Sequence, residues 1–188
     1  MRIISGIAKS RKIKFPSDLE IRPISDRVKQ SLFEILKYDI VDARVLDLFA
    51  GTGSIGLEAI SRGAIETVFV DNDHKCIKAI KENIHNLNFQ DKSKVIKGDV
   101  EKVLNNPLTP FIKGESNKFN IIILDPPYLK GLVKKTLQNL LNSDIINKEG
   151  LIVVKHHKKE LIDNLDKFYI FKERLYGDTK ITLLIKKG

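Results

Sequence analysis

The sequence predicts an α/β protein on a mostly parallel sheet, closed by an antiparallel C-terminal hairpin and preceded by a small β-hairpin and helix. Three observations predict it. Short β-branched apolar runs alternate with helix-period segments from Arg44 to Lys155, and repeated βα units of this kind need a parallel sheet covered on both faces. A glycine-rich turn, Gly51 to Gly56, stands between the first such strand and its helix. The last two β-rich runs meet at Gly177-Asp178 with no helix between them, which reads as a hairpin.

From Arg2 to Phe15, β-branched stretches flank Lys9-Ser10 and predict a two-stranded hairpin, followed by the breaker Pro16 and an irregular stretch through Pro23. Ser25 is placed as an N-cap, and Val28, Leu32, Ile35 and Leu36 behind it give a helix with one apolar face ending near Tyr38. Residues 1–40 thus form a basic N-terminal appendage and residues 41–188 the main domain. The main domain begins with a strand at Arg44–Phe49, a helix at 54–62 and a strand at Thr67–Val70. A helix at 74–87 follows, with Ile77, Ile80, Ile84 and Leu87 on one side, then a strand at Lys94–Lys97. After a polar loop near 105–118 come a strand at Phe119–Leu124, a helix at 131–142 and a strand at Leu151–Lys155. The closing hairpin pairs Phe168–Tyr176 with Thr179–Lys186.

Composition narrows the function classes. The 188 residues are 42% apolar and 30% charged, the balance of a soluble globular domain. The longest apolar runs are four or five residues, far below the ~18 of a membrane span, and the start MRIISGIAKSRK is too short in apolar residues for a secretory segment. A cytoplasmic protein with no membrane partner is expected, and a monomer. Its one cysteine, Cys76, excludes an internal disulfide or a cysteine-based metal site and fits a reducing compartment; no metal is expected.

The net charge of +9 suggests a polyanionic partner, although lysine far above arginine with abundant isoleucine and asparagine is also what an AT-rich genome yields. Location therefore matters more than the total. Residues 1–40 and 155–188 each carry nine bases against five acids, leaving +1 for the rest. The first sixteen residues hold Arg2, Lys9, Arg11, Lys12 and Lys14 and no acid, which reads as a phosphate-contacting surface.

The main chemical signal is DLFAGTGSIGLEA, with Gly51-Thr52-Gly53-Ser54-Ile55-Gly56 opening a helix after a strand. Such glycines let the backbone approach a nucleotide-like ligand at a helix N-terminus. Asp71 lies twenty residues after Gly51 at the next strand end, where a carboxylate accepts both hydroxyls of a ribose. Asp47 stands just before the loop, where dinucleotide-binding domains usually carry an apolar residue because a carboxylate would repel the pyrophosphate. A cationic ligand, S-adenosylmethionine with its ammonium and sulfonium, tolerates it. Asp99 adds a carboxylate at a third strand end, suited to an adenine amino group; equally, each acid suits a helix N-cap.

The second signal is Asp125-Pro126-Pro127-Tyr128, ending the apolar strand NIIIL. The prolines stiffen a turn that offers a carboxylate, carbonyl oxygens and an aromatic ring. That set suits the exocyclic amine of a base, whose lone pair is delocalised into the ring. Acceptors that hold its hydrogens out of conjugation turn the lone pair toward an electrophile, and Tyr128 can stack on the base.

On these residues the sequence resembles the Rossmann-like, S-adenosylmethionine-dependent amino-methyltransferases. The stretch RPISDRVKQSLFEIL, Arg22 to Leu36, with SRGAIETVFVD at 61–71 and Tyr176-Gly177-Asp178-Thr179, is similar to the bacterial small-subunit (16S) ribosomal RNA guanine-N2 methyltransferases. The resemblance implies cofactor contacts at Asp47, Gly51, Gly53, Asp71 and Asp99, and catalysis at Asp125 with Pro126 and Tyr128. It implies that Arg22 and the basic hairpin, with Arg2, Lys9, Arg11 and Lys12, meet 16S ribosomal RNA or the small ribosomal subunit. Asp71 stands where the family has glutamate, and Ile24 where it has threonine.

Other classes explain less. A DNA adenine-N6 methyltransferase shares the DPPY chemistry but needs room for target recognition. A nicotinamide-dependent dehydrogenase leaves DPPY idle, and a non-catalytic RNA-binding module leaves Asp125 unexplained. Cys76 is read as packing, and His156 and His157 as weak candidates for substrate contact.

Overall fold

The computed structural model describes residues 1–16, 24–105, 118–163 and 167–187; Arg22, most of the irregular stretch through Pro23 and most of the loop near 105–118 lie outside the described residues. In chain order the elements are α1 (Asp26–Ile35), β1 (Arg44–Leu48), α2 (Ser54–Ser61), β2 (Glu66–Asp71), α3 (His74–Leu87), β3 (Ser93–Lys97), α4 (Val100–Asn105) and β4 (Phe119–Leu124). They continue with α5 (Leu132–Leu141), β5 (Ile146–His157), β6 (Phe168–Tyr176) and β7 (Thr179–Lys186).

Among the described residues the strands form one sheet in the order β3-β2-β1-β4-β5-β7-β6. The first five are parallel, and β7 pairs antiparallel with both β5 and β6. The expected mostly parallel sheet with an antiparallel C-terminal hairpin is what forms. Side chains alternate across it as a pleat requires. Leu46, Leu48, Val68, Val70, Ile122 and Leu124 pack on one face with Val133, Leu137 and Leu140 of α5. Val45, Ile121, Ile123 and Val153 pack on the other with Leu32, Phe33 and Leu36 of α1. With both faces covered, the inner strands read as continuous apolar runs rather than alternating ones.

Helix boundaries follow their caps. The Ser25 hydroxyl accepts the Val28 N–H, as the sequence predicts, and Asp73 accepts the N–H groups of Lys75 and Cys76 to start α3. The six-residue helix α4 is an addition to the sequence reading. Asp99 starts it by accepting from the N–H groups of Glu101 and Lys102 at 3.1 and 3.2 Å.

The N-terminus differs most from expectation. The two arms of the expected hairpin do pair, through one antiparallel bridge, Arg2 to Lys12, and through Ile3 N–H to the Arg11 carbonyl, Ser10 N–H to the Ile3 carbonyl and Ile13 N–H to the Met1 carbonyl, but no regular strand forms. Other polar groups of the segment bond instead to the helices beneath it. The N–H groups of Ile4 and Ser5 donate to the Glu58 carboxylate at 2.8 and 3.0 Å, Ala8 N–H to the Ser61 hydroxyl and Lys14 N–H to the Asn83 side chain. Ile3, Ala8 and Ile13 are buried against Leu57, Ile60, Ile77 and Ile80. The basic segment predicted outside the core is therefore built into it.

Candidate active site

In an open α/β sheet, ligands bind beyond the carboxyl ends of the strands where the strand order reverses. Here the reversal falls between β1 and β4. A cavity of about 700 Å³ opens at that place, lined among others by Asp47, Gly51, Asp71, Asp99, Asp125, Pro126, Tyr128 and Lys155. Its size suits a nucleoside-sized ligand. Chain segments far apart in sequence are brought together because each follows a parallel strand.

The glycine loop does three separate things. Gly51 lines the cavity, and its N–H donates to Asp71 Oδ2 at 2.8 Å, tying the loop to the end of β2. Gly53 does not line the cavity; it holds a φ of +78° at the start of α2, a conformation that favours glycine. Gly56 is a packing residue. A Cβ there would lie 2.4 Å from the Phe69 ring and 2.9 Å from Asp47 Oδ2, so only glycine lets α2 sit directly on β1 and β2.

Asp47 is almost completely buried, and its Oδ2 accepts the Gly56 N–H at 3.0 Å. It thereby caps α2, whose own N-cap position offers no side chain. Burial pushes its carboxyl up to about 8; the Gly56 N–H opposes this, while the nearby Asp125 and Asp71 add to it. Asp71 is also raised by burial, against the N–H groups of Asp73 and Gly51. At neutral pH an empty cavity therefore favours a protonated Asp47, and a cation placed there would favour its ionised form. This donor set fits a cationic nucleoside better than a pyrophosphate. Asp99 lines the cavity as well as capping α4, so its capping role does not remove it from the cavity.

At the end of β4, the Asp125 Oδ1 accepts from Lys155 Nζ at 2.5 Å. Burial raises the Asp125 carboxyl and Lys155 opposes it. Burial alone would lower Lys155, but Asp125 and Tyr128 outweigh it and its net shift is upward. The Lys155 ammonium lies 5.0 Å from the Tyr128 ring centroid, a cation–π distance. Tyr128 is fixed further by a 2.9 Å hydrogen bond between its hydroxyl and Thr179 and by an edge contact with His157 at 5.9 Å. The motifs do not single out Lys155, and Thr179 enters them only as the last residue of Tyr176-Gly177-Asp178-Thr179. The signal for Lys155 is its position, a cation ending the apolar run LIVV at the carboxyl end of a parallel strand.

The N-terminal bases are not gathered at the cavity. Arg2 pairs with Asp26 at 3.1 Å and Lys14 with Glu82 at 3.1 Å. Arg11 donates to the carbonyls of Asn86 and Leu87 at the end of α3, where a cation complements the helix dipole. Lys9 and Lys12 are exposed and make no ion pair among the described residues. His156 is buried, bonded to Thr182 at 2.9 Å and held below its ordinary range by burial. Burial pushes the Cys76 thiol up to about 12, so it is not a nucleophile at neutral pH. Among the described residues no group of three or more metal-ligating side chains is assembled, and no helix is long and apolar enough to cross a membrane.

The fold and cavity define the class of Rossmann-like methyltransferases. The solved structure of yhhF from Escherichia coli superposes with a TM-score of 0.86 at 29% identity, over 100% of this chain and 98% of that one. The ribosomal RNA small subunit methyltransferase D of Buchnera aphidicola is 35% identical over 97% of this chain and 92% of its own. That of Escherichia coli K12 is 34% identical over 82% of this chain and 74% of its own. The family described as Conserved hypothetical protein 95 matches residues 1–185, and the chain belongs to it, together with these methyltransferase D relatives.

Proposed function

We propose that this protein transfers a methyl group from S-adenosylmethionine to the exocyclic N2 of a guanine in 16S ribosomal RNA. The observation that carries the reading is the Asp125 carboxylate, held in the same cavity as Gly51, Asp71 and Asp99 with Oδ2 free of hydrogen bonds among the described residues. Relatives named ribosomal RNA small subunit methyltransferase D support the RNA class of the substrate.

When bound, S-adenosylmethionine supplies an electrophilic methyl carbon on a positively charged sulfur. Asp71 and Asp99 are suited to its ribose hydroxyls and adenine amine, and Asp47 to its positive charge. Asp125 Oδ2 and the Pro126 carbonyl accept the two hydrogens of the guanine amine and turn its lone pair out of the ring. Tyr128, braced by Thr179, Lys155 and His157, stacks on the base. As N2 takes the methyl it gives up one proton, and Asp125 is the group placed to receive it. Most of the rate then comes from positioning and from preorganised polar groups.

The test is in two parts. Calorimetric titration of the purified protein with S-adenosylmethionine gives saturable binding, and labelled methyl transfer to unmodified small-subunit ribosomal RNA gives N2-methylguanosine on nucleoside analysis. Tight binding of NAD with no response to S-adenosylmethionine, or a label found on adenosine, contradicts the reading.

A further inference from the structure

The pairing of Asp125 with Lys155 creates a row of polar atoms with a defined order. Asp125 Oδ2 and Oδ1 are acceptors, and Lys155 Nζ, 2.5 Å from Oδ1, is a donor. An ammonium has three N–H groups; with Asp125 and Tyr128 each taking one, one remains. The row therefore reads acceptor, acceptor, donor.

Guanine presents the complementary order along its Watson–Crick edge: the N2 amine donates, N1–H donates and O6 accepts. Neighbouring heteroatoms on that edge are about 2.3 Å apart, close to the spacing of two carboxylate oxygens. The protein row is thus a counterpart of the cytosine edge. Adenine does not fit it. Its amine could donate to one carboxylate oxygen, but its N1 lone pair would face the other.

Lys155 is also in the right place. A second cavity, about 310 Å³, lies between the start of α1 and the β6–β7 turn and includes Arg27, Tyr176 and Thr179. Tyr128 and Lys155 line both cavities. A base entering through the second cavity meets Tyr128 and Lys155 at the boundary, with the Asp125 carboxylate beyond them.

We propose that Asp125 and Lys155 together read the guanine edge, with Lys155 Nζ donating to O6, so that Lys155 is a specificity-determining residue. This rests on the guanine-N2 reading above. It gives Lys155 a role beyond holding Asp125 in place.

The experiment compares single-turnover transfer to small-subunit ribosomal RNA carrying either guanine or 2-aminopurine at the nucleotide that the wild-type protein methylates. 2-Aminopurine keeps the N2 amine but lacks O6 and the N1 proton. The wild-type protein should prefer guanine strongly. In Lys155→Met the guanine to 2-aminopurine rate ratio should fall on the order of ten- to a hundredfold, the usual value of one base-edge contact. Lys155→Gln, which retains an N–H donor, should keep more of the ratio. Calorimetric binding of S-adenosylmethionine establishes that each variant is folded. If Lys155→Met lowers both rates and leaves the ratio unchanged, Lys155 only supports Asp125 and the proposal is overturned. If the wild-type protein methylates no guanine N2, the reading beneath it fails, and that is visible before any variant is compared.

Discussion

Lys29 Nζ and Glu58 Oε2 meet at 3.3 Å with both side chains completely buried. Glu58 also accepts from Ile4 N–H, Ser5 N–H and Arg62 Nε, while Lys29 donates to the Arg2 carbonyl and the Ser54 hydroxyl. One carboxylate and one ammonium thus join the N-terminal segment, α1 and the start of α2, immediately beside the glycine loop. Burial pulls Lys29 below its ordinary range and Glu58 opposes it, so the buried Lys29 charge depends on Glu58. Removing one partner of such a pair costs about 3–5 kcal/mol. Glu58→Ala should lower the urea midpoint accordingly, and deletion of residues 1–16 should abolish cooperative unfolding because Ile3, Ala8 and Ile13 leave the core. A truncated protein with an unchanged midpoint by circular dichroism would show the segment to be dispensable.

Because the N-terminus is structural, RNA contact there must be tested without removing it. Lys9 and Lys12 are exposed and outside the core contacts, so Lys9→Ala and Lys12→Ala should leave the unfolding midpoint unchanged. If each meets a phosphate, each substitution lowers the slope of log K against log salt by ~0.7–0.9. An unchanged slope in both variants removes these lysines from the RNA surface.

The raised carboxyl of Asp47 predicts a proton linkage. Burial pushes the Asp47 carboxyl up to about 8, which favours its protonated form near pH 7. A cationic ligand lowers that value, so binding of S-adenosylmethionine at pH 7 releases protons and affinity rises as the pH climbs toward and through 8. Asp71 and Asp125 are raised as well, and comparison with Asp47→Asn isolates the Asp47 share. Calorimetry in two buffers of different ionisation enthalpy should give different observed heats for the wild-type protein and a smaller difference for Asp47→Asn. Equal heats in both buffers for the wild-type protein contradict the linkage.

Asp125→Ala separates binding from transfer. The carboxylate is assigned to the amine rather than to the cofactor, so affinity for S-adenosylmethionine should stay within a few fold. The single-turnover rate should fall by ~10²–10³, the usual cost of one preorganised polar group. A variant that transfers near the wild-type rate reduces DPPY to a turn.

Much of this was legible in the sequence because it is local. The βα alternation, the Ser25 cap and the Gly177-Asp178 hairpin are set by residues close together in the chain. The places of Asp47, Asp71, Asp99 and Asp125 follow from strand ends, which a parallel sheet brings to one side. What was not legible depends on long-range pairing. Nothing near Glu58 announces the N–H groups fifty-three and fifty-four residues away that it receives, and nothing near Asp125 announces Lys155, thirty residues on. The same holds for the N-terminal bases: read as a phosphate-contacting surface, three of the five, Arg2, Lys14 and Arg11, have partners at Asp26, Glu82 and the end of α3 that lie far off in sequence.

The measurement that bears most directly on the central claim is mass-spectrometric mapping of modified nucleosides in 16S ribosomal RNA from cells with and without this protein. The account predicts the loss of a single N2-methylguanosine when the protein is absent and its return with the wild-type protein but not with Asp125→Ala. An unchanged set of N2-methylguanosines, or the loss of a methylated adenosine instead, would contradict it.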